Sequence, residues 1–147
     1  MSESLGESKN VRTVKEYFIR SDAGRADVLE LFSDDFEFYF PKFGLGRGRV
    51  EFAGFIQGLL GTVRTITHDI ETMRFFEGEN FVIAEGTTEG TYHDGSFWFG
   101  GKTPGGRFCS IYEFDTDGLI RRMHIYLDPD YAGSDTERFV WQGARRW

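Results

Sequence analysis

The residue whose type and neighbours point most directly to chemistry is His68. It shares side-chain parity with Ile66 and Ile70, so in a strand its imidazole lies on the apolar, inward face. Imidazole titrates near neutral pH, and its neutral form can remove a proton from carbon. The sequence therefore leaves two interpretations open: a general base at an apolar cavity, or a core histidine satisfied by its neighbours.

Other site chemistries find less support in the sequence. The histidines His68, His93 and His124 lack the close spacing of zinc motifs. Cys109 lies in a strand-like run without a nucleophile motif, and we interpret it as a buried structural thiol. The glycines of the FGLGRG segment do not match a dinucleotide or phosphate loop. We therefore expect no metal and no cofactor.

Charge and composition narrow the possible partners. The 147 residues carry a formal net charge of −7, which repels nucleic acid and anionic lipid surfaces. No run is long and apolar enough to span a bilayer, and a single cysteine cannot form an internal disulfide. We expect a cytoplasmic protein that binds a small hydrophobic or aromatic molecule, with neither nucleic acid nor membrane as a partner.

Hydrophobic periodicity predicts the elements that position these residues. Apolar residues at helical spacing predict helices over residues 10–22, 25–32 and 52–60. Between the last two, residues 36–40 alternate as in a half-buried strand and end at Pro41.

From residue 65 onward, strand-like runs are separated by turn sequences, which indicates an antiparallel meander. These turns are EGEN at 77–80, HDGS at 93–96, TPGG at 103–106 and DTDG at 115–118. We predict one α+β domain over 1–147, with residues 1–9 disordered and a C-terminal tail at 130–147 that either closes the pocket or contacts another subunit.

Three stretches in this order resemble the nuclear transport factor 2-like superfamily. They are LFSDDFEFYFP at 31–41, EGTTEGTYHDG at 85–95 and TPGGRFCSIYEF at 103–114. Within the superfamily the chain is most similar to the SnoaL-like polyketide cyclase and scytalone dehydratase-like branch. The resemblance implies a cone-shaped, curved antiparallel sheet with three N-terminal helices packed around an apolar pocket.

The resemblance also implies a catalytic set. In scytalone dehydratase-like enzymes a helix aspartate and two strand histidines form the acid/base cluster, and Asp22, His68 and His93 fall at corresponding places. Tyr17 resembles the phenol donor of ketosteroid isomerase-like members. Asp22 would orient the imidazole of His68, and a histidine or phenol would hold the oxygen of an enolate.

The chain also departs from these relatives. Phe40 and Ser110 stand where ketosteroid isomerase-like members carry acids, and Ser21 replaces the dehydratase tyrosine, so steroid isomerisation in that form is not expected. In the last strand His124 is kept, Tyr126 replaces an aspartate of the polyketide cyclases, and Asp128 is placed to take over its role. The alternative for these last three residues is a polar stripe facing solvent or a second subunit.

Taken together, the aromatic composition and the resemblance imply a pocket for a flat compound with one or two polar groups. The expected substrate-binding residues are Tyr39, Phe40, Phe55, Phe97, Ser110, Tyr112, His124, Tyr126 and Asp128. Glu85, Glu89 and Glu113 also fall in predicted strands, where carboxylates more often face solvent or pair with arginine.

The predicted function is that of a cofactor-independent lyase or isomerase acting by general acid/base catalysis on a small cyclic or aromatic compound. The alternative is a non-catalytic protein of the same fold that binds a hydrophobic ligand or serves as a dimerising scaffold. The two-sided alternation of the last strands predicts a homodimer formed through the outer face of the sheet.

Overall fold

Two α-helices and a short 3-10 helix precede the strands or lie between them, and the strands form one curved sheet. The computed structural model describes residues 6–147. The helices of these residues are α1 (Lys9–Asp22), a 3-10 helix (Ala26–Leu31), α2 (Gly48–Thr62) and a 3-10 turn in the tail (Thr136–Arg138). The strands are β1 (Phe32–Phe40), β2 (Gly44–Arg47), β3 (Val63–His68), β4 (Arg74–Glu77), β5 (Phe81–Tyr92), β6 (Phe97–Phe99), β7 (Arg107–Phe114) and β8 (Ile120–Leu127).

The helix α1 begins one residue before its predicted start. The side chain of Ser8 caps it by accepting a hydrogen bond from the backbone N–H of Val11. Ser8 and Lys9 thus belong to the helix start, whereas residues 1–5 of the segment predicted to be disordered lie outside the described residues. The helix ends at Asp22, which fixes that carboxylate at the C-terminal end of an apolar-faced helix.

The predicted order of elements is confirmed, and all four predicted turns separate consecutive strands. The helix predicted over 25–32 is the 3-10 helix Ala26–Leu31, and β1 begins at Phe32 rather than at residue 36. The sheet differs from the prediction in two further respects. The segment predicted to be a glycine-rich link forms β2, which pairs with β1 as a hairpin. The sheet is also not wholly antiparallel, because β1 and β8 pair in parallel within the order β2-β1-β8-β7-β5-β3.

The curvature of the sheet comes from β5, which is paired by different neighbours along its length. Its first half pairs with β7 and β4, and its second half, from Thr88 to Tyr92, pairs with β3 and β6. A strand shared in this way turns the sheet back on itself. As a result β3, with His68 at its end, lies across from the concave face of the main sheet.

The concave face is apolar and is covered by α1 and α2. Phe36, Phe38 and Phe52 are each no more than 5% exposed, and their rings meet edge-on or tilted at 5.2 to 6.0 Å between centroids. Such aromatic contacts add about 0.5–1.5 kcal/mol each beyond area burial. None of the helices in residues 6–147 combines the length and apolarity needed to cross a membrane.

The close approach at Gly90 generates a prediction about the bend. A Cβ at this position would lie 2.1 Å from the Thr65 carbonyl oxygen and 2.4 Å from the Trp98 ring. We expect Gly90→Ala to lower the free energy of unfolding by about 1–3 kcal/mol, because backbone and ring must both move. Urea denaturation measures this change.

The matched control is Gly54→Ala in α2, where a Cβ meets nothing within 4 Å. This exposed helical substitution should raise the free energy of unfolding by about 0.5–1 kcal/mol, since alanine loses less backbone entropy. Equal effects of the two substitutions would contradict the close packing assigned to Gly90.

Candidate active site

A cavity of about 380 Å³ lies between the concave face, the two helices and β3. Its wall is mainly apolar, with polar groups at a few points. The residues of this wall include Tyr17, Phe18, Asp22, Phe40, Phe55, Leu60, Arg64, His68, Phe108, Ser110, Tyr112, Ile125, Leu127 and Tyr131. Apolar walls with a few convergent polar groups are typical of small-molecule sites.

The polar centre of the cavity is a two-point contact between Asp22 and His68. The Nδ1 atom of His68 lies 2.7 Å from Oδ1 of Asp22, and the backbone N–H of His68 donates to Oδ2 at 2.8 Å. Both side chains are only 17% exposed. The carboxylate that ends α1 therefore fixes both the backbone and the ring of the residue that ends β3.

Aromatic rings fix the orientation of the His68 imidazole. Phe18 of α1 lies 4.7 Å from it and Phe108 of β7 lies 5.2 Å from it, measured between ring centroids. Among residues 6–147 its Nε2 atom has no hydrogen-bond partner. The ring thus presents one nitrogen to Asp22 and leaves the other free at the cavity.

This geometry selects a tautomer. A carboxylate only accepts hydrogen bonds, so the neutral imidazole carries its proton on Nδ1 and keeps the lone pair on Nε2. An Nε2 lone pair is the form that takes a proton from a substrate, and the Asp22 carboxylate stabilises the imidazolium that results.

Two buried phenols lie on the same wall. Burial raises the pKa of Tyr17 and holds the pKa of Tyr112 well above its usual value. Both hydroxyls therefore stay protonated across the physiological range and act as neutral donors. The Ser110 hydroxyl donates to the Tyr112 hydroxyl at 3.0 Å, which leaves the Tyr112 proton free to point elsewhere.

The structure brings most of the predicted site to this cavity. Besides the Asp22–His68 pair, the predicted residues on its wall are Tyr17, Phe40, Phe55, Ser110 and Tyr112. Phe40 and Phe55 pack against each other at 4.9 Å between centroids and supply flat apolar surface.

His93 does not join the pair, which corrects the predicted cluster of three. It lies in the turn after β5, is exposed, and its Nε2 is 2.7 Å from the backbone carbonyl oxygen of Leu60. Its ring is therefore held by the end of α2, outside the cavity wall. The prediction failed because β5 ends at Tyr92, which shares side-chain parity with buried Thr88, so His93 has the opposite parity and begins the turn.

Phe97 is likewise not a cavity residue. It is 64% exposed on β6, whereas its neighbour Trp98 is 1% exposed. Side chains alternate along a strand, and Gly90 on β5 leaves the inward space that the Trp98 indole fills. Because the Trp98 ring occupies the inner face of β6, the Phe97 side chain points outward.

Tyr39, His124 and Tyr126 lie together on the outer, convex face of the sheet. The Tyr39 ring is 5.6 Å from both of the others, and the Nε2 atom of His124 is 2.7 Å from Glu37 Oε2. This contact lowers the pKa of Glu37. The inward positions of β8 belong instead to Ile125 and Leu127, so the polar-stripe alternative describes this strand.

Asp128 follows the end of β8 and also lies outside the cavity wall. It is exposed, and its Oδ1 accepts the backbone N–H of Asp130 at 2.9 Å. It therefore organises the turn that leads into the tail. Glu85 and Glu113 pair with arginines on the outer face, as carboxylates in strands usually do.

Several residues of the cavity wall were not predicted from the sequence. Ile125 and Leu127 were recognisable from their parity with Met123, an apolar residue of the same strand that is fully buried. Arg64 is exposed at the wall, on β3. Tyr131 comes from the tail and had no local signal, since only long-range contacts bring it to the cavity. Within residues 6–147, no three His, Cys, Asp or Glu side chains are grouped so as to hold a metal ion.

The fold and cavity define a class of protein. A cone-shaped sheet around an apolar cavity, with helices over its open side, is shared with solved nuclear transport factor 2-like structures. The family model for the SnoaL-like domain matches residues 14–123. The chain belongs to the SnoaL-like family of the nuclear transport factor 2-like superfamily.

Solved structures support the fold at low identity. A nuclear transport factor 2-like protein of unknown function from Burkholderia pseudomallei is 18% identical, with a TM-score of 0.70, over 84% of this chain and 93% of that chain. The protein TerC, co-crystallised with polyporic acid, is 18% identical, with a TM-score of 0.69, over 82% and 92% of the two chains.

A candidate polyketide cyclase from Xanthomonas campestris pv. campestris is 20% identical, with a TM-score of 0.66, over 82% of this chain and 90% of that chain. No curated protein matches the sequence closely enough to count as a relative. At these identities the structural likeness establishes the fold, and the activity has to be argued from the cavity.

Proposed function

We propose that the protein is a cofactor-independent lyase or isomerase of the dehydratase and cyclase kind, which removes a proton from carbon in a small hydrophobic cyclic or aromatic compound. The observation that carries the proposal is the 2.7 Å contact between Asp22 and His68 Nδ1, with Nε2 left free at an apolar cavity. A structural histidine needs no such free nitrogen, whereas a general base does.

The proposed step conserves atoms and charge. Nε2 of His68 takes the proton from a carbon next to a carbonyl. The electron pair of that C–H bond forms a C=C bond, and the π pair of the carbonyl moves to its oxygen, which gives an enolate. A phenol from Tyr17 or Tyr112 donates a hydrogen bond to that oxygen. In an isomerase the imidazolium returns the proton to another carbon. In a lyase the enolate re-forms the carbonyl and a C=C bond as the C–O bond to a β-hydroxyl group breaks, and the imidazolium gives its proton to that hydroxyl, which leaves as water.

The dimensions of the cavity limit the substrate. About 380 Å³ lined mainly by aromatic and aliphatic side chains accommodates a compound of two or three fused rings. The names of two neighbours fit this class, since one was crystallised with polyporic acid and another is a candidate polyketide cyclase.

The acid/base proposal predicts the behaviour of a simple ketone probe. In D₂O the protein should accelerate exchange of the acidic C–H protons of 2-tetralone, measured as loss of their ¹H NMR signal. His68→Gln should lower that rate about a hundred-fold or more, because the proton acceptor is gone. Asp22→Asn should also slow exchange strongly, because an amide that donates to Nδ1 moves the imidazole proton to Nε2.

The matched control is His93→Gln, which removes an imidazole held outside the cavity by the Leu60 carbonyl. Its exchange rate should equal that of the parent. Circular dichroism checks that each variant is folded. If the parent does not accelerate exchange but still binds 2-tetralone, the non-catalytic alternative is correct, and His68 is a satisfied core residue.

We also propose that two copies of the chain pair through the outer face of the sheet. One row, apolar except for His124, crosses six strands there, at successive paired positions Phe76, Ile83, Ile111, His124, Tyr39 and Leu45. The two ends of this row face solvent, since Phe76 is 45% exposed and Leu45 is 67% exposed. Contiguous apolar surface of this kind marks an interaction site.

Charges beside this row favour a second copy as the partner. Glu113, Arg122, Glu37 and Arg47 alternate in sign at paired positions across four strands. Ion pairs among them, such as Arg122 with Glu37 at 3.5 Å, balance the positive and negative charges of this face. The face would therefore not repel the same face of a second copy. A self-neutral face beside an apolar row suits a two-fold, isologous contact.

Sedimentation equilibrium at micromolar concentration tests the pairing. The parent should be a dimer, and Ile111→Glu should be a monomer because it places a charge in the middle of the apolar row. Ile19→Glu is the control, since Ile19 is 46% exposed on α1, away from this face. A monomeric parent would rule the pairing out.

The proposal includes a cytoplasmic location. Cys109, the single cysteine, is a free thiol whose pKa is raised by burial, so it is mostly protonated and poorly reactive. Such a thiol suits a reducing compartment.

A further inference from the structure

Tyr131, in the tail after β8, is the least expected residue of the cavity wall. It is 1% exposed, and its ring stacks on that of Trp98 at 4.4 Å between centroids and 18° between planes. Its backbone N–H donates to the Tyr92 hydroxyl at 3.0 Å. The Trp98 indole is itself fixed, because its N–H donates to the Thr88 hydroxyl at 3.0 Å.

The backbone at Tyr131 is held as tightly as its ring. A Cβ on Gly105 would lie 1.8 Å from the Tyr131 carbonyl oxygen, so the tail packs directly on the backbone of the turn before β7. Further along the tail, Phe139, Val140 and Trp141 are 54% to 89% exposed. The tail is therefore anchored at Tyr131, whereas these later residues lie on the surface.

The hydroxyl of this anchored residue has no partner. Among residues 6–147, the Tyr131 oxygen is the one buried side-chain nitrogen or oxygen that makes no hydrogen bond. Less than 1 Å² of it is accessible, so solvent does not satisfy it either. Burial without a partner costs free energy, and such groups in native proteins require an explanation.

A phenylalanine would fill the same space without that cost, so the hydroxyl is not explained by packing. Tyr131 also lines the cavity that holds the Asp22–His68 pair. Burial raises the pKa of Tyr131, so the phenol stays protonated and offers a hydrogen to an acceptor.

We propose that the Tyr131 hydroxyl donates a hydrogen bond to the ligand of this cavity, and that the natural ligand carries a carbonyl or other acceptor oxygen against the Trp98–Tyr131 side of the wall. The inference rests on the proposed function only in requiring that the cavity binds a ligand. Because the hydroxyl is covered in the ligand-free cavity, the ligand shifts wall atoms slightly to reach it. Tyr131 is then a specificity-determining residue of the tail.

The experiment compares two probes of the same shape, 2-tetralone and the hydrocarbon tetralin, which lacks the ketone oxygen. Ligand-observed NMR titration measures the affinity of each for the parent and for Tyr131→Phe. The parent should bind 2-tetralone more tightly than tetralin. Tyr131→Phe should weaken 2-tetralone binding about ten-fold, the size of one hydrogen bond, and leave tetralin binding unchanged.

A second readout needs no ligand. Because the hydroxyl is unsatisfied in the free protein, Tyr131→Phe should melt at the same temperature as the parent or higher. Tyr126→Phe is the control, since it removes a phenol that is 45% exposed on the outer face. It should change neither probe affinity.

The following results would overturn the proposed role of the Tyr131 hydroxyl. Equal weakening of both probes would mean that the ring shape matters and the hydroxyl does not. Unchanged affinities, or a parent that binds neither probe, would remove the proposed ligand contact. A clearly lower melting temperature of Tyr131→Phe would show that the hydroxyl has a partner within the protein.

The test also separates this inference from the acid/base proposal. If His68→Gln abolishes carbon–hydrogen exchange while Tyr131→Phe leaves both affinities unchanged, only the role of Tyr131 fails. If the parent catalyses no exchange but Tyr131→Phe loses selectivity for the ketone, the cavity is an oxygen-recognising binding site, and only the catalytic proposal fails.

Discussion

The site depends on the contact between Asp22 and His68. The Asp22 carboxylate accepts two hydrogen bonds, one from the ring and one from the backbone of His68. They join the last residue of α1 to the last residue of β3, 46 positions apart. Each would leave a poorly solvated group unpaired if broken, a cost of about 1–3 kcal/mol. The same contact closes the helix over the sheet and fixes the imidazole tautomer, so structure and proposed chemistry rest on the same atoms.

That contact forms only because the sheet bends. The two halves of β5 pair with different neighbours, and Gly90 has no side chain, so the Trp98 ring and the Thr65 carbonyl can approach. The bend brings β3 opposite the main sheet and leaves an apolar cavity beneath α1. Trp98 then supports Tyr131, which ties the tail to the same wall. The curvature of the sheet, the cavity and the position of the tail therefore all depend on the pairing of β5.

Local patterns in the sequence predicted those features that depend on neighbouring residues, such as helix ends and strand parity. Helix periodicity located Asp22 at the end of α1, and strand parity placed His68 inward beside Ile66, whereas the contact between the two was implied by the family resemblance. Side-chain parity also places Ile125 inward and His124 outward on β8, whereas the family resemblance implied an inward His124. Tyr131 was not predictable, because stacking on Trp98 and packing on Gly105 are contacts between distant parts of the chain.

The most direct test of the Asp22–His68 assignment is the protonation state of the His68 ring, measured by long-range ¹H–¹⁵N NMR with its signals assigned through His68→Gln. We expect the neutral form of the ring to carry its proton on Nδ1 and its lone pair on Nε2, and we expect Asp22→Asn to shift this tautomer. A ring protonated on Nε2 in the neutral parent, or a tautomer unaffected by Asp22→Asn, would contradict the assignment of His68 as a base oriented by Asp22.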